Sequence, residues 1–184
     1  MAVLAAAERA DPESALYSAL DKAAQAVTGL ARRSGAAPRE FACTLLLCII
    51  TEDEVAGLQL GDGAIVTGTA GGVERLTKAW QSDYAGETVF LTSPRARELA
   101  TVVKRPATDL AGVALLTDGL EPVATDLGTG EPFGPFFLPL FSFTGRSHLD
   151  LHNRQLEELL ASDRVRSRTH DDTTLLIAAR EQPA

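Results

Sequence analysis

The second half of the chain contains the run Gly112-Val113-Ala114-Leu115-Leu116-Thr117-Asp118-Gly119-Leu120. An apolar, partly β-branched segment of strand length ends there in a single carboxylate, and a glycine follows it. This pattern predicts a buried strand that brings Asp118 to the end of a sheet, where the chain turns sharply. Taken alone, Asp118 has a second interpretation, because an aspartate at this point equally suits the N-cap of a following helix.

Two more acids stand at the ends of apolar runs. Asp171 comes shortly before the apolar run 175–179, and Asp62 follows the apolar run 55–60 between two glycines. Carboxylate oxygens are hard ligands that suit divalent cations such as Mg²⁺ and Mn²⁺. The three acids Asp62, Asp118 and Asp171 therefore predict an oxygen-lined site for a hard divalent cation.

Length and charge limit the class of protein. A chain of 184 residues fits one domain, here residues 1–184, and is long enough to bury a sizeable core. Its net charge of -8 argues against a nucleic-acid backbone or an anionic membrane as the main partner. No uninterrupted apolar segment reaches the roughly 20 residues that cross a bilayer.

Targeting and cysteine usage predict a cytoplasmic protein. Residues 1–10 are apolar and rich in alanine but lack a preceding basic region, so they indicate a helix and not a signal peptide. Cys43 and Cys48 lie on one apolar run at an odd offset, which points them to opposite faces of a strand. We therefore expect both to be buried free thiols in a reducing compartment.

The chain begins with a helical pattern and continues with short strands. Residues 1–33 are predicted to be helical, with a break at the N-cap Asp11 and an apolar stripe made of Leu16, Leu20, Ala23, Val27 and Leu30. Short polar turns then separate the predicted strands, which indicates antiparallel pairing, with Asp62 at the tip of a hairpin. These strands are residues 43–50, 55–60, 64–67, 73–76, 87–92 and 98–104, before the strands next to Asp118 and Asp171.

The segments after Asp118 leave alternatives open. Residues 120–126 predict a short helix, and Ser147 opens another helix through a capping box with Asp150. Between them, residues 128–145 are rich in Gly, Pro and Phe without a clear period. Their aromatic side chains either anchor a loop on the core or form an exposed patch for a partner.

Other local patterns have both a structural and a functional interpretation. His148 and His152 stand one helical turn apart, a spacing that can bind zinc, although no third ligand is evident. Three alternating arginines end at Arg168 and either meet a phosphate or form a solvated edge. The glycine turn at residues 69–72 lacks the Lys-Ser/Thr of a phosphate-binding loop.

Taken together, these motifs resemble those of the PPM-type (type 2C) metal-dependent protein serine/threonine phosphatases, especially their bacterial branch. Thr117-Asp118-Gly119 is similar to the family's Ser/Thr-Asp-Gly strand end, and Asp171-Asp172-Thr173-Thr174 to its Asp-Asn-x-Thr motif. Leu60-Gly61-Asp62-Gly63 resembles its Gly-Asp-Ser hairpin. Residues 41–45, 84–93 and 164–172 also match the bacterial pattern, so the resemblance covers essentially the whole chain.

The resemblance implies an α+β fold, a sandwich of two antiparallel β-sheets flanked by helices in αββα order. It implies a metal pair of Mg²⁺ or Mn²⁺ held by Asp118 and Asp171, with Asp62 at an additional metal position. The implied activity is hydrolysis of phosphoserine and phosphothreonine in proteins by a metal-activated water.

The sequence departs from the family pattern at two places. The family's opening strands and its Asp-Gly-x-Gly motif, whose aspartate bridges the metals, have no counterpart here, so an N-terminally truncated domain is expected. Glu121 and Pro122 stand where many members carry another aspartate, and Glu121 could substitute as an oxygen ligand.

Three interpretations follow from these departures. The chain is a phosphatase without its N-terminus, a pseudophosphatase that acts as a regulatory or protein-binding module, or an unrelated α+β protein. Missing strands would also leave a sheet edge along which the protein could self-associate.

Overall fold

A computed structural model describes residues 11–78, 88–126, 128–145 and 149–181, without the side chains of residues 149–151. Several predictions lie outside the described residues. They concern the helix at residues 1–10, the first residue of the strand predicted at 87–92, and the residues Ser147 and His148. The same holds for residues 84–87 of the bacterial-like segment.

The first described element is helix α1, Pro12–Ser34. The side chain of Asp11 accepts a hydrogen bond from the Ser14 N–H, and Gly35 ends the helix, so the predicted boundaries are confirmed. Leu16 and Leu20 are buried as predicted. At the other end of the stripe Leu30 is 45% exposed and Ala31 is buried in its place, so the predicted stripe is wrong there.

The strands form two antiparallel sheets. One has the order β1-β2-β5, with β1 Leu45–Ile50, β2 Glu54–Leu60 and β5 Thr101–Pro106. The other has the order β4-β3-β6-β7, with β3 Ala64–Thr69, β4 Gly72–Arg75, β6 Leu110–Leu116 and β7 Leu175–Ala179.

Three sequence-based predictions about strands are wrong. β2 and β3 do not pair with each other, so Asp62 lies in the connection between the two sheets and not at a hairpin tip. Residues 88–92 contain no strand, and helix α2, Ala96–Leu99, occupies the start of the strand predicted at 98–104. Strand propensity did not decide these segments, because pairing depends on partners far away in the sequence.

The described residues divide into two compact units, each with its own core. The first lies within Met1–Asp62 and Trp80–Ala107, where α1 packs on β1 and β2 through Leu16, Leu20, Leu47 and Leu58. The second lies within Gly63–Ala79 and Thr108–Ala184. There Val66 of β3 and Leu116 of β6 pack with buried phenylalanines.

The helices of the second unit follow strand β6. They are α3 Glu121–Ala124, α4 Gly134–Thr144, α5 Leu149–Leu160 and α6 Asp163–Arg166. The residues 128–145, predicted to lack regular structure, thus contain the helix α4. Its Phe136, Phe137 and Phe141 are buried, whereas Phe133 and Leu138 are exposed, so most of its aromatic side chains anchor the segment on the core.

The cysteines correct another prediction. Cys48 is buried in β1, but Cys43 precedes the strand and is exposed, because β1 begins only at Leu45. In the part of the chain that the structure describes, no helix combines the length and apolar character that crossing a bilayer requires. The fold class itself is confirmed, as two antiparallel sheets with flanking helices.

Candidate metal centre

Asp118 lies directly after the end of strand β6. Thr117 is extended, and the residues Asp118–Leu120 form a single 3-10 turn that the Leu120 N–H closes on the Thr117 carbonyl at 3.0 Å. Helix α3 begins only at Glu121, and its N-cap residue is Leu120. Asp118 therefore does not occupy the N-cap of that helix, and its exposed carboxylate stands at the sheet end as predicted.

Asp171 lies in the turn that leads into strand β7. Its N–H donates to Thr169 Oγ1 at 3.2 Å, and its Oδ1 accepts the Asp172 N–H at 2.8 Å. Both aspartates are exposed. These bonds fix the backbone of Asp171 and one of its two carboxylate oxygens.

The turns that carry Asp118 and Asp171 interlock. Thr117 donates its N–H to the Thr174 carbonyl at 3.2 Å, and its hydroxyl accepts the Thr174 N–H at 3.0 Å. The same hydroxyl donates to the Asp172 carbonyl at 3.3 Å. Because β6 and β7 pair up to Leu116 and Leu175, these bonds extend the contact beyond the sheet.

Gly119 allows the two turns to approach each other closely. A Cβ atom at this position would lie 2.4 Å from the Asp172 carbonyl oxygen and 3.2 Å from Asp171 Cβ. Any larger residue would therefore push the turns apart. Gly119 therefore serves this close contact in addition to the turn that the sequence predicts.

Asp62 belongs to the first unit and is half-buried. Thr88 donates its hydroxyl to Asp62 Oδ2 at 3.0 Å. The flanking glycines have positive φ angles, 85° at Gly61 and 90° at Gly63, which a residue with a side chain adopts only with strain. The structure thus explains the glycines around Asp62, while the role of Asp62 as a metal ligand stays a prediction.

Glu121 is already engaged by another side chain. Its carboxylate forms an ion pair with Arg75 of β4, whose side chain is only 10% exposed. Sequence reasoning missed Arg75, because an arginine in a short amphipathic strand carries no local signal of a partner so far along the chain. One Glu121 carboxylate oxygen, Oε1, is therefore held by a cation from the protein.

The donor chemistry around Asp118 and Asp171 fits a hard divalent cation with part of its shell made of water. Within the described ranges, no group of three or more His, Cys, Asp and Glu side chains is close enough to hold a metal ion. Mg²⁺ is commonly bound through one or two carboxylates and keeps several waters. Asp118 and Asp171 supply two exposed carboxylates on interlocked turns, and their role as cation ligands stays a prediction.

The positions of His152 and of the three arginines before β7 do not support a zinc site or a phosphate contact. His152 is buried, and its ring lies against Phe143 with the centroids 4.3 Å apart, so it faces an aromatic side chain. Arg164, Arg166 and Arg168 are all exposed, which agrees with a solvated edge.

Comparison with known proteins identifies the family. The family model described as "Protein phosphatase 2C" matches residues 2–161, a segment that contains Asp62 and Asp118 and ends before Asp171. The chain belongs to this family. It is similar to Serine/threonine-protein phosphatase 3 of Escherichia coli (strain K12), with 34% identity over 146 residues, which cover 77% of this chain. The chain spans 57% of the length of that relative.

Solved structures share the fold at low sequence identity. The serine/threonine phosphatase Stp1 from Staphylococcus aureus aligns with a TM-score of 0.62 and 15% identity, over 97% of this chain and 71% of that one. The catalytic domain of the serine threonine protein phosphatase PstP, in complex with two manganese ions, aligns with a TM-score of 0.61 and 16% identity. That alignment covers 94% of this chain and 73% of the other.

Proposed function

We propose that the protein hydrolyses phosphoserine and phosphothreonine esters in proteins with the help of Mg²⁺ or Mn²⁺. The observation that carries this proposal is the interlocking of the Asp118 and Asp171 turns through Thr117 and Gly119. It keeps two carboxylates at one sheet edge in a chain that belongs to the protein phosphatase 2C family. The names of the related phosphatases support the substrate class.

In this proposal Asp118 and Asp171 hold the cation, and Asp62 serves an additional metal position. When bound, such a cation supplies positive charge for the phosphoryl oxygens and increases the acidity of a coordinated water. The protein's part is to keep the carboxylates in place before the cation arrives. Thr117 does so by bonding to both sides of the β7 turn, which reduces the reorganisation that binding requires.

The proposed location is the cytoplasm. It rests on the two free cysteines, since exposed free thiols such as that of Cys43 are typical of reducing compartments. The exposed Cys43 carries this argument, because a buried thiol such as Cys48 is protected from oxidants in any compartment.

Hydrolysis of a phosphoserine peptide and of an aryl phosphate by the full-length protein tests the proposed function. We expect turnover that depends on Mn²⁺ and is abolished by a chelator. Asp118→Asn should lower kcat/KM by roughly 100-fold or more, because loss of a ligand exceeds the 10–100-fold effects of outer-shell changes. Asp109→Asn, at an exposed turn of the same unit, is the matched control and should leave the rate unchanged.

The assay also separates the two readings of the family resemblance. A folded protein without Mn²⁺-dependent hydrolysis would contradict the proposed function and favour a pseudophosphatase that acts as a binding module. Equal losses in Asp118→Asn and Asp109→Asn would contradict the metal-site assignment.

A further inference from the structure

Arg75 is a nearly buried cation that contacts three separate segments of the second unit. Its Nη2 forms the ion pair with Glu121 Oε1, its Nε donates to the Gly130 carbonyl at 3.0 Å, and its Nη1 reaches the Gly63 carbonyl at 3.5 Å. The Arg75 side chain is 10% exposed and that of Glu121 is 30% exposed. A guanidinium so placed needs its partners, because an unpaired buried charge is costly.

Glu121 follows the Asp118 turn directly. It is the first residue of α3, and its carbonyl accepts the Thr125 N–H at 2.9 Å, so its backbone is fixed within that helix. The ion pair therefore ties strand β4 to the point where the 3-10 turn of Asp118 passes into α3. The same turn contacts the β7 turn through Gly119, so it is held by two separate contacts.

The Gly130 contact fixes the segment behind α3. The Phe133 N–H donates to the Ala124 carbonyl at 2.8 Å, and the Asp126 N–H donates to the Glu131 carbonyl at 2.8 Å. The chain thus folds back on itself just after α3, and Arg75 bonds to the returning segment at Gly130. Both ends of α3 are thereby connected to one guanidinium.

We propose that Arg75 and Glu121 are positioning residues that hold Asp118 in place for the divalent cation. This inference rests on the proposed function, since it concerns cation binding at Asp118. Arg75 also keeps Glu121 from the cation, because the carboxylate is engaged in the ion pair. The pair adds almost no net charge to the region, so its contribution to cation binding is geometric.

Two other roles make different predictions for the same side chains. If Glu121 were itself a ligand, removal of Arg75 would release it and would tighten cation binding. The loss of a positive charge alone would act in the same direction. If the pair only stabilised the fold, its removal would lower the melting temperature and leave the Mn²⁺ dissociation constant of the folded protein unchanged.

Calorimetric titration of the full-length protein with Mn²⁺ distinguishes these roles. We expect Arg75→Gln and Glu121→Gln each to raise the dissociation constant roughly tenfold, as outer-shell changes do. The double variant should bind no more weakly than the weaker single variant, because residues that act as one unit are not additive. Arg75→Lys keeps the charge but loses the planar set of guanidinium donors. Its Mn²⁺ dissociation constant should therefore lie between those of the wild type and Arg75→Gln.

The exposed ion pair between Arg95 and Glu98 is the matched control. Its side chains are 63% and 64% exposed, and Arg95→Gln and Glu98→Gln should leave Mn²⁺ binding unchanged. Melting curves identify any variant that fails to fold. If Arg75→Gln fails to fold, the Mn²⁺ dissociation constants of Arg75→Lys and Glu121→Gln are the test.

The outcomes separate this inference from the proposed function. Unchanged or tighter Mn²⁺ binding by the Arg75 variants, with a wild type that binds Mn²⁺, would overturn the positioning role alone. A wild-type protein that shows no saturable Mn²⁺ binding would overturn the proposed function, and this inference with it.

Discussion

Thr117 connects the end of one strand with the turn before another, although a threonine next to an aspartate carries no such information in the sequence. Its hydroxyl accepts the Thr174 N–H and donates to the Asp172 carbonyl, so a single side chain bonds to the backbone on both sides of Thr173. A serine would keep both bonds. A valine would keep the shape and lose them, which makes the hydroxyl the property that matters here.

The carboxylates of Asp118 and Asp171 can be tested by their response to Mn²⁺. Without the cation, Asp118→Asn or Asp171→Asn should leave the melting temperature unchanged or slightly higher, because repulsion between the two charges is removed. With Mn²⁺ at about 100 times the dissociation constant, the wild type should gain about 2.7 kcal/mol. Each variant should gain less, as it lacks a ligand.

Thermal unfolding of the wild type, both variants and Asp109→Asn, with and without Mn²⁺, measures this difference. The control Asp109→Asn should respond as the wild type does. An equal rise in all four melting temperatures would show that neither Asp118 nor Asp171 is a ligand.

The two cysteines should differ sharply in reactivity. Cys43 is exposed, whereas burial raises the pKa of the Cys48 thiol from 9.0 to about 12. Since only the thiolate reacts, iodoacetamide should modify Cys43 in the folded protein and leave Cys48 intact. Peptide mapping by mass spectrometry checks the sites, with Cys43→Ser as the control that should abolish labelling. Preferential modification of Cys48 would contradict the described burial.

The raised pKa of Cys48 also has a consequence for stability at alkaline pH. The folded state keeps this thiol protonated at pH values where the unfolded chain releases the proton. The contribution of Cys48 to stability is therefore complete below about pH 9.0 and declines as the pH rises toward about 12.

Among the elements, helix α4 depends most on its surroundings. Its Phe141 ring lies on Gly68 of β3 and Gly112 of β6, which are partners in the sheet register. A Cβ atom at either glycine would come within 2.6 Å of a ring carbon. The ring of Phe137 stacks on Phe141 with the centroids 6.2 Å apart. The glycines in these strands thus leave space for an aromatic side chain from the helix.

Replacement of Phe141 by alanine should be strongly destabilising. Phe141 is 5% exposed, and the loss of a buried phenylalanine above two glycines leaves a cavity that neighbouring side chains cannot fill. We expect a loss of about 3–5 kcal/mol in the free energy of unfolding. Urea unfolding measures it, with Leu138→Ala as the control on the same helix.

Leu138 is 46% exposed, so its replacement should change the stability by no more than about 0.5 kcal/mol. Similar losses for Phe141→Ala and Leu138→Ala would contradict the orientation of α4 on the sheet.

For the whole molecule, the candidate ligands are divided between two compact units. Asp118 and Asp171 belong to the second unit and Asp62 to the first. A cation at Asp118 and Asp171 would therefore act on the second unit, and a cation at the additional position of Asp62 would act on the first. Light scattering on the full-length protein tests the predicted self-association along a sheet edge.

Hydrogen exchange measured by mass spectrometry can locate the effect of the cation. Mn²⁺ should slow the exchange of amides that open locally in residues 117–120 and 169–174. If Asp62 holds a cation at the additional metal position, residues 61–63 should be protected as well, and Asp62→Asn should remove the protection there. Protection that is confined to the second unit would contradict the role of Asp62.

Local patterns in the sequence were enough for the features that depend on neighbours along the chain. The cap at Asp11, the end of α1 near Gly35 and the strand that ends before Asp118 are all confirmed. Caps, turns and periodicity arise from contacts within a few residues, so the sequence carries their signals directly.

Features that depend on distant partners were decided only by the tertiary structure. β2 pairs with β5 and β3 pairs with β6, so the residues around Asp62 connect two sheets and do not form the predicted hairpin. Helix α4 forms in a segment that lacks a helical period, and its Phe141 packs on Gly68 and Gly112. The Arg75–Glu121 pair has no local signature in the sequence. The physical reason is common to all of them: burial and pairing energies are set by groups that are close in space and far apart in sequence.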